Sequence, residues 1–577
     1  MIKDFLKRRW PFYLAGIIML IIVDTLQLLI PRFISKAVDT LNTSTPDISL
    51  IAILSWSIVG VALGMFLSRF FWRFFIIGSS RKFVYEARNY LYKKILSLDM
   101  SFFDKNRSGD LMAHFTNDMN NVERMLGPGI VLMVDALFMS SITLFFMATT
   151  VGWRLTFIAL IPLPFIIVIS ASFGKFIFTR SKTVQDTFSD MSGFIEESID
   201  GIRIVKTFSI LPKFEKIFST KANNNFKANI SLIKLWGVMW PSIHFISSLA
   251  YFLAIVYGGP MVIKGTVSLG AFIAFNSYIG MIVWPLTAYG WVINMIQRGR
   301  ASYARIRKIL ETPPLVTEPE EPVEIKSIDS IKIENLNFSY PFTERLVLKD
   351  VSMEIKSGQL VGIVGTVGSG KSTLVKIISK FYPVGKGHLF INGIDINYIP
   401  SDIVRTKISY VPQETFLFST SVEENIAFGM EDYNEELVEA YASLSAVDKD
   451  IKQFPEGYKT VVGERGVSLS GGQKQRVTIA RALMRNADVY IFDDCLSAVD
   501  PETEEKIISS LRNTMKDKTM IIITHRLKVL RNANIIYVLD EGKIVEKGSH
   551  EELLSKGGLY AQMYRKQMIE EELEETN

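Results

Sequence analysis

The sequence predicts an α-helical membrane domain, six transmembrane helices with long cytoplasmic extensions, fused to an α/β domain with a mainly parallel sheet. Three observations predict it. Nearly all long apolar runs fall before about residue 300, short β-branched runs alternate with amphipathic stretches after residue 331, and an acidic, proline-rich stretch lies between. Composition agrees. At 577 residues the chain is too long for one hydrophobic core. Only 21% of it is charged, below the roughly 25% of soluble chains, and its mean hydropathy is +0.23. Its aromatic content excludes a disordered or collagen-like chain. A net charge of +5 is too weak to imply a nucleic-acid partner, and none is expected. The lone Cys495 excludes an internal disulfide and a structural zinc set.

Six apolar runs, at residues 11–30, 50–77, 127–149, 155–173, 237–257 and 269–296, are each long enough to cross a bilayer. Loop charge orients them. Lys3, Lys7, Arg8 and Arg9 precede the first run, and Arg81, Lys82, Arg88, Lys93, Lys94, Lys105 and Arg107 follow the second. The alternate loops carry few basic residues: Arg32 and Lys36, then Arg154, then Lys264. By the positive-inside rule, both termini are expected in the cytoplasm, with the chain a multi-pass protein of the cell membrane. The two long inner segments, 79–126 and 177–236, keep helical spacing of apolar residues, with breaks at 101–111 and 209–214. Helical hairpins with a transverse tip suit docking onto another domain.

The stretch ETPPLVTEPEEPVE at 311–324 reads as an extended linker. The expected division is a membrane domain at 1–308, a linker at 309–328 and a nucleotide-binding domain at 329–577. In the last, IKIENLNF, LVGIVG, KISYV, VYIF and MIIIT read as strands buried on both faces.

GTVGSGKST at 365–373 follows one such strand and precedes a helix. It fits G-x-x-x-x-G-K-[ST], a match expected by chance about 0.02 times in a chain this long. Its glycines let backbone N–H groups wrap phosphates; Lys371 would reach the β- and γ-phosphates and Ser372 would hold Mg²⁺. VYIFD at 489–493 ends in Asp493, a second magnesium contact.

LSGGQKQR at 469–476 makes the resemblance specific. The phosphate loop, Gln413 in YVPQE, this signature, Asp493, the SAVD turn ending at Asp500 and His525 in ITHR occur in the order and spacing of an ATP-binding cassette (ABC) domain. The preceding six spans resemble the membrane half of type I ABC exporters, so the resemblance covers essentially the whole chain. It implies ATP and Mg²⁺ as cofactors. ATP contacts fall to Tyr340, which would stack on adenine, and to Gly365, Thr366, Val367, Gly368, Ser369, Gly370, Lys371, Ser372 and Thr373. Ser470 and Gly472 would bind the γ-phosphate of an ATP held by a different cassette, so two cassettes must face head to tail, and Gly471, Gln473 and Asp500 are further ATP-binding residues that the resemblance implies. Ser372, Gln413 and Asp493 would bind the metal, and His525 would contact the γ-phosphate. The VGERG stretch at 462–466 resembles the exporter loop that meets the inner hairpins.

One position departs from the family. The magnesium aspartate is usually followed by a glutamate, the general base; here it is Asp494. One methylene less withdraws the carboxylate by roughly 1.5 Å. A displacement of that order costs on the order of 10² in rate. The expectation is a site that binds ATP and hydrolyses it poorly. An intact signature beside a weakened base resembles the degenerate-site subunit (the BmrC or MdlA type) of bacterial heterodimeric multidrug exporters. The expected partner is then a different half-transporter chain with a catalytic Glu. The expected substrates are hydrophobic or cationic small molecules exported across the bilayer. Lipid flipping, or a homodimer with Asp494 as working base, are the alternatives.

Within the spans, Asp24 and Asp135 are candidate functional residues, with an interhelix hydrogen bond as the competing use, and Arg69 and Arg73 fit snorkelling or a cavity equally. Asn276, Tyr278, Trp284, Trp291 and Asn294 in the last span mix aromatic and polar character suited to amphipathic or cationic compounds, or to helix packing.

Overall fold

The computed structural model describes residues 1–430, 432–463 and 467–575, and the chain divides into two compact units. The first comprises Met1–Leu96 and Ser108–Thr312, the second Ser97–Arg107 and Pro313–Asn577.

The membrane unit is built from six helices long and apolar enough to cross a bilayer: α1 (Ile2–Leu41), α2 (Ile48–Leu96), α3 (Ser108–Val151), α4 (Trp153–Asp200), α5 (Leu211–Ile263) and α6 (Leu269–Glu311). All are longer than the apolar runs, because polar stretches continue the helices beyond any bilayer core of about 30 Å. Residues of α1, α3, α4, α5 and α6, such as Leu28, Met147, Leu155, Ile243 and Ile282, form its core. Large apolar side chains on α2, including Trp56, Phe66 and Phe70, remain exposed, as suits contact with lipid. The break foreseen at 101–111 holds the short helix Met100–Lys105, whereas the short helix Ile202–Thr207 precedes the break foreseen at 209–214, inside which α5 begins at Leu211.

In the second unit, β1 (Ser330–Ser339), β2 (Leu346–Lys356), β4 (Leu389–Ile391) and β5 (Ile394–Asp395) form an antiparallel sheet in the order β2-β1-β4-β5. IKIENLNF, expected in one mainly parallel sheet, lies in this antiparallel one. Its alternating burial instead marks a strand with one face packed and one facing solvent. The second sheet runs β10-β9-β3-β8-β7-β6. Its strands are β3 (Leu360–Gly365), β6 (Ile408–Val411), β7 (Val489–Asp493), β8 (Thr519–Ile523), β9 (Ile535–Asp540) and β10 (Lys543–Gly548). β3, β7 and β8 are parallel and buried throughout. Val361, Ile363, Ile491 and Ile521 pack with Leu374 and Ile377 of helix α7 (Lys371–Ile378). Val364, Phe492 and Ile522 join a second core with Ile479 and Leu483 of helix α8 (Gly471–Met484).

Two boundaries differ from expectation. α6 continues to Glu311, where Arg307 pairs with Glu311 at 2.7 Å and Ile309 is buried, so the helix takes in the first residues assigned to the linker. Residues 97–107, expected in the membrane domain, cluster with the second unit. The buried Asp99 carboxylate accepts from the backbone N–H of Leu315 and Val316, Tyr382 Oη donates to Asp104 Oδ2 at 2.7 Å, and Lys105 Nζ lies 4.4 Å from the Phe342 ring centroid.

Candidate nucleotide site

β3 ends at Gly365, where a Cβ would fall 1.9 Å from the Leu539 carbonyl oxygen, so no side chain fits. The chain turns through Gly368 and Gly370, both at positive φ, straight into α7. This is the geometry that aims successive N–H groups at an anion. Lys371, held beneath the loop, donates to the carbonyls of Gly365 (3.0 Å) and Thr366 (2.9 Å). Burial pushes its pKa down, opposed by the charges of Asp494 and Asp493. Ser369 Oγ is buried without a partner, an orphan that a phosphate oxygen would satisfy.

The parallel pairing of β3, β8, β7 and β6 brings the remaining groups to one sheet end. Asp493, at the end of β7, accepts from Ser372 Oγ and from Tyr410 Oη, each at 2.9 Å. A hydroxyl and a carboxylate oxygen are a donor set that suits Mg²⁺, which needs few protein ligands because phosphates and water complete its shell. Among the described residues no group of three or more His, Cys, Asp or Glu could hold a metal. Asp494 sits at φ +47°, with its N–H on the Ile523 carbonyl (2.9 Å) and its Oδ2 accepting from Gln413 Nε2 (3.1 Å). Burial pushes its pKa up; the charges of His525 and Lys371 and the Gln413 bond pull against this, and Asp493 adds to it. A cavity of about 230 Å³ gathers Val367, Gly368, Ser369, Gly370, Lys371, Ser372, Thr373, Gln413, Asp493, Asp494 and His525.

Other sequence-derived residues lie apart from this cavity. Ser470 caps α8 in a reciprocal pair with Gln473 (3.2 Å and 3.0 Å), and none of Ser470, Gly471, Gly472 or Gln473 lines it. Gly472 has no room for a Cβ, which would lie 2.9 Å from the Ala498 carbonyl oxygen. Asp500 caps helix α9 (Pro501–Thr514), accepting from the Thr503 N–H at 2.9 Å, and that bond lowers its pKa. Tyr340 packs edge-on to Tyr382 and Phe338 (centroids 5.0 and 5.4 Å), its hydroxyl 2.8 Å from Thr373 Oγ1. Of the VGERG stretch, residues 464–466 lie outside the described residues.

Sequence reasoning missed four supporting groups. Tyr410 orients Asp493; its position on β6, beside β7, was the available signal. Gln475 Oε1 accepts from the Ala498 N–H (3.0 Å) and so ties the signature helix to the SAVD turn. Arg526 Nη1 donates to the Val499 carbonyl (2.8 Å) and pairs with the buried Glu504. Glu504 was legible as an acid on the apolar stripe of Ile507, Ile508 and Leu511. In α6, Tyr278 is a packing residue, buried with its hydroxyl on the Leu28 carbonyl (2.9 Å). Asn276 and Asn294 bond back to their own helix, while Trp284 stands half exposed and edge-on to Trp291.

Residues 13–286 match the family model for the ABC transporter transmembrane region, and residues 348–497 that for ABC transporters. The chain is 36% identical to the multidrug resistance-like ATP-binding protein MdlA of Escherichia coli K12, across 99% of this chain and 97% of that protein. It is 34% identical to the probable multidrug resistance ABC transporter ATP-binding/permease protein YheI of Bacillus subtilis 168, across 98% and 97%. An ATP-dependent lipid A-core flippase of Syntrophus aciditrophicus is 35% identical over 86% of this chain and 82% of its own length. Among solved structures, a bacterial Atm1-family ABC exporter with ATP bound superposes with a TM-score of 0.79 at 25% identity, covering 97% of this chain and 99% of that one.

Proposed function

The chain belongs to the ABC transporters, as an ATP-hydrolysing exporter with membrane and ATP-binding regions on one polypeptide that works as a membrane dimer, and on that premise we propose a division of labour between its two ATP sites. This chain exports hydrophobic or amphipathic small molecules as one half of a heterodimer. Its own phosphate loop binds ATP and turns it over slowly, while its signature completes the competent site of the partner. The observation that carries this reading is Asp494: it occupies the general-base position beside Asp493 with one methylene less than Glu, whereas Ser470, Gly472 and their cap are intact.

In that scheme Lys371 and the loop N–H groups bind the phosphates, and Ser372 and Asp493 hold Mg²⁺, which when bound neutralises phosphate charge. Gln413 and Asp494 orient water, and His525 contacts the γ-phosphate. Tyr340 stacks on adenine once its ring turns from Tyr382. Clamping of two ATP molecules between cassettes draws the inner hairpins together and favours an outward-facing state; hydrolysis at the partner's site releases them. Docking of residues 97–107 onto the ATP-binding unit, through Asp99, Asp104 and Lys105, supports their role as one coupler.

The test is ATPase activity of this chain alone and with a co-expressed partner whose catalytic Glu is changed to Gln. Slow turnover in both is expected; fast turnover by this chain alone, abolished by Asp494→Ala, would instead establish a working homodimer. Lipid transport is the second reading, favoured by the flippase relative. Stimulation of ATPase by lipids rather than by amphipathic dyes would select it.

A further inference from the structure

The membrane unit contains charged groups that ATP hydrolysis does not use. Asp24 on α1 is 6% exposed, and its Oδ2 has no hydrogen-bond partner. Asp135 on α3 is half-buried, and its Oδ1 is buried and likewise unpartnered. The interhelix hydrogen bond that would make these residues structural is therefore missing at both oxygens. α1 packs against both α2 and α3, the charge of Asp135 acts on Asp24, and the charge of Arg69 on α2 acts on both carboxylates. Arg69 also reaches Gln27 Oε1 on α1 at 3.4 Å.

The neighbouring helices supply no further counter-charge. α6 packs against both α1 and α3 but carries no acid or base between residues 269 and 297. Its Tyr278 and Tyr289 give their hydroxyls to the carbonyls of Leu28 (2.9 Å) and Ala136 (3.0 Å) rather than to the aspartates. α4 has no charged residue between 155 and 174. Arg73 on α2 lies over the Trp72 ring, and Arg32 on α1 over the Phe146 ring. On α3, the buried hydroxyls of Ser140 and Thr143 are also unpartnered.

Two carboxylates and one guanidinium leave one negative charge inside a span, where an uncompensated ion is costly. One positive charge closes the balance, and the two unpartnered carboxylate oxygens are acceptors for it. Asp24 is enclosed, whereas Asp135 is half-buried and Arg69 exposed. We propose that Asp24, Asp135 and Arg69 form an intramembrane site for one exchangeable positive charge, filled either by a proton or by the cationic centre of an organic substrate, the two competing. When a cation enters, one carboxyl O–H bond breaks, its electron pair stays on the carboxylate, and the proton leaves to solvent; no electrons are transferred. The inference rests on the small-molecule export reading and narrows it to cation-for-proton exchange.

The test uses the full-length transporter with its partner in lipid nanodiscs and tetraphenylphosphonium, a cation with no proton to lose. Its affinity is expected to fall up to about tenfold per pH unit on the acid side of the site's titration, with about one proton released per cation bound. Asp24→Asn and Asp135→Asn each abolish the pH dependence and the proton release, while retained nucleotide binding reports that each variant has folded. Absence of tetraphenylphosphonium binding, pH-independent binding in the native protein, or a pH dependence unchanged in both variants would overturn the proposal. A neutral amphipathic steroid serves as the control on the export reading. If it stimulates ATPase while the cation shows no pH dependence, export stands and the charge site falls; if neither compound binds or stimulates, both fall.

Discussion

Asp494→Glu is expected to speed hydrolysis at this chain's own site. Glu restores about 1.5 Å of reach toward the attacking water. If the short carboxylate costs on the order of 10² in rate, about 2.7 kcal/mol of transition-state stabilisation is recoverable. Not all of it returns. Asp494 sits at φ +47°, a conformation that Asp tolerates better than Glu, so the variant gives up about 1 kcal/mol of stability and holds its carboxylate less firmly. The Gln413 bond at 3.1 Å must also re-form one methylene further out. A rise of roughly tenfold to a hundredfold is therefore the expected range. The assay is single-turnover phosphate release with a partner whose catalytic Glu is changed to Gln, so that only this site can react. An unchanged rate with nucleotide binding intact would refute the argument that reach limits the site.

Residual turnover by the native site should fail on acidification at a higher pH than for an ordinary carboxylate, because a base must be ionised and burial pushes the Asp494 pKa up; a pH–rate profile of the same assembly reads this directly. Arg526→Ala should cost about 3 kcal/mol by leaving Glu504 buried and unpaired, and a urea titration followed by nucleotide-site fluorescence measures it. Tyr382→Phe keeps the ring against Tyr340 but loses the bond to Asp104, about 1 kcal/mol, so substrate stimulation of ATPase should drop several-fold while unstimulated turnover persists. Cys495 should resist maleimide in the folded protein and react on denaturation, since it is buried and burial pushes its thiol pKa up.

The parts legible in the sequence were those encoded over short distances. A span needs only about twenty apolar residues, and a phosphate loop needs only glycines, a lysine and a flanking strand and helix, so both could be read locally. What escaped depends on contacts across the chain. The break at 101–111 marks a hairpin tip without saying what it packs on, and only the bonds of Asp99 and Asp104 to residues beyond 312 reveal the allegiance of residues 97–107. β1 differs from the strands of the parallel sheet in having one solvent face, a pattern present in its alternation and obscured by the β-branched runs around it. Tyr278 was ambiguous, because a tyrosine in a span reads equally as a cavity group or a packing residue until its hydroxyl is seen on the Leu28 carbonyl. Asp494 shows the opposite: its identity alone carried the functional argument, and the structure added the φ angle and the Gln413 bond that set the size of the effect.

The ATP-binding unit is discontinuous, so the backbone passes between units three times, at 96/97, 107/108 and 312/313. Cleavage in the linker would cut the one covalent link to the body of that unit, which would then be held to its early segment only by non-covalent contacts such as Tyr382 with Asp104 and Lys105 with Phe342. Exchange of ATP-binding regions between exporters at that linker would likewise transplant an incomplete body: the graft would receive the host's version of residues 97–107, and the hybrid would be stitched correctly only where that piece offers carboxylates matching Asp99 and Asp104.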